Sequence, residues 1–164
     1  MSKCLKVLAI AALLCTVAGA CAVLYGINTL KPQVEQAFAT VTPAVQVQDV
    51  FDGVLDQLET QTFAGKVWGN TDALQAQNCV FLTYTVRLNN RGFFPAEWIS
   101  LEVTPQEDTD LLMLADTSAH VLTAGSRGDL TATILTTDSG NTERTLTVTC
   151  YVFGQKIEFE VAAA

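Results

Sequence analysis

Few residues in this 164-residue chain have a type and spacing that could do chemistry. Arg127-Gly128-Asp129, within T-A-G-S-R-G-D-L-T-A, is the tripeptide that cell-adhesion receptors read. It lies between two strand patterns, and Gly125 and Gly128 supply the conformational freedom of a hairpin connection, so it is expected at a turn. Asp129 can bond nearby amides, as Asp does in turns. Glu107, Asp108, Asp110 and Asp116 offer carboxylate oxygens of the kind calcium takes, but at a spacing that matches no EF-hand loop. Paired carboxylates could also serve an envelope hydrolase of the glycosidase type. His120 is the sole histidine and cannot build a multi-histidine metal site; it reads as a solvated strand residue. No G-x-S-x-G, H-E-x-x-H or phosphate-cradling loop occurs. No catalytic residue, cofactor or metal site is therefore assigned. Phe93, Phe94 and Trp98 form an aromatic group that could contact sugar or protein, or could anchor a hairpin in the core.

These residues follow an unusual N-terminus. Residues 1–6, M-S-K-C-L-K, are basic, and the 21 residues from Val7 to Ile27 carry no charge. A bilayer core needs about 20 helical residues. With Lys3 and Lys6 on one side, the charge bias places the N-terminus inside and the rest outside the cytoplasmic membrane. An uncleaved signal anchor fits the full apolar length. Ala18-Gly19-Ala20 would permit cleavage, and Cys21 would be the acylated residue of a lipoprotein. Cys4, Cys15 and Cys21 otherwise read as small, tolerated leader residues. Beyond the leader, seven basic residues face seventeen acidic ones. Such a charge disfavours nucleic acid, and anionic lipid head groups are poor partners for the same reason.

The domain reading has three parts: 1–28 as the anchor, 29–61 as a helical stalk, and 62–164 as a β-sandwich. In 33–41, Val34, Ala37, Phe38 and Val41 recur at helical spacing. Thr42-Pro43 then resembles an N-cap with proline at the first helical position, and Val47, Val50, Phe51, Val54 and Leu58 share one face of a helix that ends near Thr60. From Phe63 the period becomes two. Strands are predicted at 63–69, 78–89, 97–104, 110–115, 118–123, 129–137, 142–153 and 155–162, separated by turn residues. Short alternating strands without a long helix among them indicate an immunoglobulin-like antiparallel sandwich.

Residues 84–103, Y-T-V-R-L-N-N-R-G-F-F-P-A-E-W-I-S-L-E-V, resemble bacterial cell-surface immunoglobulin-like modules of the CARDB or late-embryogenesis-abundant-14-like kind. Asn89, Gly92 and Pro95 match their strand, Asn-x-x-Gly, proline, strand layout. L-T-A-G-S-R-G-D-L and V-T-C-Y-V-F-G are similar to the late turn and penultimate strand of those modules. The whole layout also resembles small membrane-anchored bacterial proteins. The resemblance implies adhesion, scaffolding or complex assembly and carries over no catalytic residue. The order Cys79, Trp98, Cys150 is similar to that of antibody domains, whose two cysteines form an inter-sheet disulfide. Strand parity opposes the pairing, since Cys150 falls on the core face and Cys79 on the other; a disulfide and two separate thiols both stay open.

The expectation is a non-catalytic, membrane-anchored module that works by protein–protein interaction at the cell envelope, with an envelope protein or a second copy as partner. The alternative is a carbohydrate- or adhesion-binding ectodomain that uses Phe93, Phe94, Trp98, Arg127 or Asp129.

Overall fold

The computed structural model describes residues 3–28, 31–116 and 120–163, with α1 side chains described over 8–23 and at Tyr25. Helix α1 spans Lys3–Asn28. Among the described residues no helix is long and apolar enough to cross a membrane, so the expectation of a span rests on the sequence run alone.

The remainder is mainly β, in two antiparallel sheets. Strands β1 (Gln33–Pro43), β2 (Lys66–Val67), β3 (Val80–Asn89), β5 (Asp110–Met113) and β7 (Arg127–Thr136) form a sheet in the order β1-β3-β7-β5-β2. Strands β4 (Ala96–Val103), β6 (His120–Leu122), β8 (Arg144–Val152) and β9 (Gln155–Ala163) form the other, in the order β6-β4-β8-β9. The alternation in β3 turns Leu82, Tyr84, Val86 and Leu88 into the space between the sheets, where they meet Leu101, Val103, Leu146, Val148 and Val152.

Residues 33–43 form a strand, which corrects the expectation of a helical stalk over 29–61. The chain enters the sandwich at β1, and the boundary at 62 falls away. Valine and threonine at 34, 40, 41 and 42 suit a pleated strand, and β3 offers ten residues of backbone to pair with. Ala37 and Ala39 pack against the core, whereas Val34, Phe38 and Val41 stay partly exposed. Their helical spacing was therefore fortuitous. A bulge leaves Glu35 between Val34, paired with Leu88, and Gln36, paired with Arg87.

The amphipathic helix is present as α2 (Gln48–Glu59), after a 3-10 turn at Ala44–Val47. It does not stand as a stalk. Phe51 and Val54 are buried in a second core with Ala76, Cys79, Phe81, Leu112 and Leu135. Phe81 and Leu135 point away from the inter-sheet core, so α2 covers the outer face of the five-stranded sheet. Asp49, Asp52, Asp56 and Glu59 face away from that core, as the periodicity required.

Registers define two ends. Gln33, Asn89 and Arg127 align at the end where the chain enters β1, here the entry pole. Pro43, Val80 and Thr136 align at the opposite end, the far pole.

Candidate functional site

Arg127-Gly128-Asp129 is the beginning of β7 and not a hairpin tip, which corrects the turn expectation. The turn lies just before it, with Gly125 at a φ of 73°. Asp129 pairs with Arg87 on β3, and its two oxygens accept from Nε and Nη2 at 2.7 Å each. That guanidinium holds the Asp129 carboxyl below its usual range. Arg127 Nε donates to Glu35 at 3.0 Å, and Asn89 Nδ2 donates to the same oxygen at 2.7 Å. The bulge in β1 turns Glu35 toward both. Asp129 is thus engaged by the neighbouring strand β3, and Arg127 reaches across β3 to β1.

Asp110 and Arg144 form a buried pair at the far pole, with side chains 0% and 3% exposed. Arg144 Nε and Nη2 each reach an Asp110 oxygen at 2.8 Å, and Nη1 donates to the carbonyls of Asn141 and Glu143. The pair joins β5 of one sheet to β8 of the other. Burial pushes the Asp110 carboxyl up, but hydrogen bonds from Arg144 and the Gln106 amide outweigh it and hold the group low. Nearby, Tyr84 donates to the Thr142 carbonyl at 3.1 Å, and burial pushes its hydroxyl up to about 12.

These titrations bear on chemistry. The Asp110 and Asp129 carboxyls are both displaced, and both are pulled down by guanidinium groups. A general acid needs the reverse. Asp110 is occupied by Arg144 and does not join Glu107 and Asp108 as a ligand set. Among the described residues no three or more His, Cys, Asp or Glu side chains assemble around a metal position. The His120 side chain lies outside the described residues.

Cys79 and Cys150 are free thiols, which corrects the disulfide alternative. Cys150 lies between the sheets and Cys79 beneath α2, on opposite faces as parity required. Burial pushes both thiols up, away from the reactive thiolate.

The aromatic residues do gather. Phe93 is 75% exposed and Trp98 71%, so neither anchors a hairpin in the core. Phe94 packs edge-on against Phe153, ring centroids 4.0 Å apart. Phe153, which the sequence reading left out, is 70% exposed. It heads the two-residue β8–β9 turn at a φ of 52°, followed by Gly154 at 72°. Two positive-φ residues make a primed hairpin turn, in which asparagine is far commoner than phenylalanine at the first position. Trp98 sits in the bulge of β4 at a φ of 50°, again unusual for a large side chain.

Asn90 holds this end together and was also missed. It is 1% exposed; Nδ2 donates to the carbonyls of Phe94 and Leu122, and Oδ1 accepts from the Gly92 amide. Its backbone bonds Ser126 and Gly125. One amide therefore couples the Phe93-Phe94 loop to the turn before β7. The only sequence signal was an Asn two residues before a glycine, in N-N-R-G, which says turn but not burial.

No family model matches the chain, and no curated protein matches it significantly.

Proposed function

We propose that the chain is a non-catalytic, membrane-anchored module that presents an immunoglobulin-like sandwich outside the cytoplasmic membrane and works by contact with an envelope protein. The anchor is the uncharged run from Val7 to Ile27, with the basic leader inside. The observation that carries the interaction reading is the placement of polar and apolar groups. The displaced carboxyls are spent on structural ion pairs, while large aromatic side chains stand in solvent at one pole. That is the dress of a contact surface and not of a reaction cleft.

The test uses the full chain expressed in cells with a C-terminal tag. Intact cells are treated with protease from the outside, and membranes isolated from a separate untreated sample are washed with alkaline carbonate. The reading expects retention in the membrane and loss of the tag to external protease. Crosslinking on intact cells should then recover one envelope protein in stoichiometric amount. Release by carbonate, or a tag protected from outside, overturns the anchor or its orientation.

Glycan binding is the second reading, favoured by the exposed indole of Trp98. It requires saturable binding on a glycan array that Trp98→Ala abolishes.

A further inference from the structure

Outside α1, the described large hydrophobic side chains more than half exposed are Phe93, Trp98, Phe153 and Val121, the last at 58%. All four lie at the entry pole. Phe93 is in the β3–β4 loop, Trp98 near the start of β4, Val121 beside it on β6, and Phe153 in the β8–β9 turn. Such residues are normally scattered singly over a surface.

Two further observations say what covers them. Asn28, where α1 ends, is five residues from Gln33, so the extended chain places it within about 18 Å of the entry pole. An apolar helix is therefore tethered beside this pole and far from the other. Charge divides the same way. At the entry half Lys31, Arg87, Arg91, Arg127 and Lys156 balance four acidic residues, Glu35, Glu97, Asp129 and Glu158. The far half holds two basic residues, Lys66 and Arg144, and most of the acidic ones, including the α2 face. The overall negative charge is thus turned away from the pole where the helix enters, and the average that disfavours anionic lipid does not describe this surface.

We propose that the entry pole seats on the bilayer surface, with Phe93, Trp98, Val121 and Phe153 inserted at the headgroup level. The occupant is the lipid interface, where tryptophan and other aromatics are favoured and a nearly neutral pole meets no repulsion. The seat makes lipid the contact of the aromatic pole, holds the sandwich against the membrane, and leaves the acidic far pole, directed outward, as the surface that meets an envelope protein. It rests on the anchor reading, because α1 brings the pole to the lipid.

The experiment puts the full chain carrying Trp68→Phe into nanodiscs of phosphatidylcholine and phosphatidylglycerol, leaving Trp98 as the sole indole. Lipids brominated near the headgroup should quench about half or more of its emission, since an interfacial indole lies within contact range. Phe153→Asn suits the turn and keeps the fold; combined with Phe93→Ser it should lower the quenching while denaturation midpoints hold or rise. Unquenched Trp98 that stays open to aqueous iodide overturns the proposal. Trp98 shielded from iodide yet unquenched by lipid also overturns it and assigns the pole to a second copy. Carbonate extraction of the same discs separates the two readings. A retained chain with unquenched Trp98 removes the seat and leaves the anchor. A released chain removes the anchor, and Trp98 quenching on added vesicles then decides the seat alone: quenching supports it, its absence overturns it.

Discussion

Replacing Arg144 by methionine should cost about 3–5 kcal/mol, because it leaves the Asp110 carboxylate buried without its partner. The structure sets this magnitude. Both side chains are out of solvent, both Asp110 oxygens face the guanidinium at 2.8 Å, and without it the carboxylate keeps the Gln106 backbone amide, at 2.8 Å, and the Thr136 hydroxyl, which are neutral donors. The stranded carbonyls of Asn141 and Glu143 add less, since both residues are exposed and water can replace the guanidinium. The double variant Asp110→Leu/Arg144→Met should recover most of the loss, as two apolar groups of similar volume need no desolvated charge. Urea denaturation of all four proteins closes the cycle. Acid gives the sign. The Asp110 carboxyl titrates below its unfolded value near about 3.9, so the pair's contribution is present above that pH and is lost as pH falls through the folded pKa. The gap between wild type and double variant should shift toward the double variant under acid. A single-variant cost below about 1 kcal/mol, the range of exposed pairs, would refute the claim that this pair is desolvated and clamps the sheets.

Asn90→Ala should destabilise by about 1–3 kcal/mol, the cost of stranding the Phe94 and Leu122 carbonyls and the Gly92 amide, read by thermal or urea denaturation. The same variant should raise amide exchange in 91–95 and 123–126 together, and exchange confined to one loop would deny that Asn90 couples them. Raising the salt concentration should leave Arg144→Met as costly as before but erase most of any effect of Arg87→Met, whose Asp129 partner is solvated. Tyr84 should titrate near about 12 in the folded chain, so wild-type stability falls as pH rises from about 10 toward that value, and Tyr84→Phe should flatten this limb in alkaline denaturation.

The sandwich was legible because the inner faces of β3, β8 and β9, and of β4 from Ile99 onward, alternate, and alternation reports a half-buried strand directly. β1 was not, because it is an edge strand with a bulge at Glu35 that moves the inner face from Val34 to Ala37, Ala39 and Val41. With the parity shifted, small residues at two inner positions and Phe38 on the outer face, its apolar pattern lost its period of two, and helical spacing filled the gap. The second core was hidden for a related reason. Residues 134–136 and 110–113 are buried on both faces, so the run of apolar residues carries no period of two. α2 was read correctly as an amphipathic helix, yet nothing in its own sequence says whether its stripe meets a sheet or a second helix. The site residues divide similarly. Phe93, Phe94 and Trp98 could be chosen by type. Phe153 could not, since V-F-G reads as an ordinary strand end, and only the two-residue turn reveals its conformation. The charged ends of Arg127 and Asp129 were assigned to a turn because glycine was taken as its centre. The turn closed two residues earlier, at Gly125.

The conformations of Phe153 and Trp98 argue that the exposed aromatics are there for a contact. A non-glycine residue in the left-handed region costs about 1–2 kcal/mol. The Phe94–Phe153 ring pair returns about 0.5–1.5 kcal/mol, so at position 153 the local terms roughly cancel. Asparagine would suit the turn without exposing a ring, and a smaller residue in the β4 bulge would spare the indole its exposure. Folding alone therefore gives no advantage to either aromatic side chain. A contact that removes both rings from water does, at about 25 cal/mol for each Å² of apolar surface covered. Both sites are rigid: one is a two-residue turn between paired strands, the other a bulge held by pairing on both sides. A rigid tip presents its ring at a fixed height and loses little entropy when covered. The tether of α1 and the balanced charge of this pole make the bilayer interface the surface that meets those terms, and they leave the acidic far pole for whatever the module recognises.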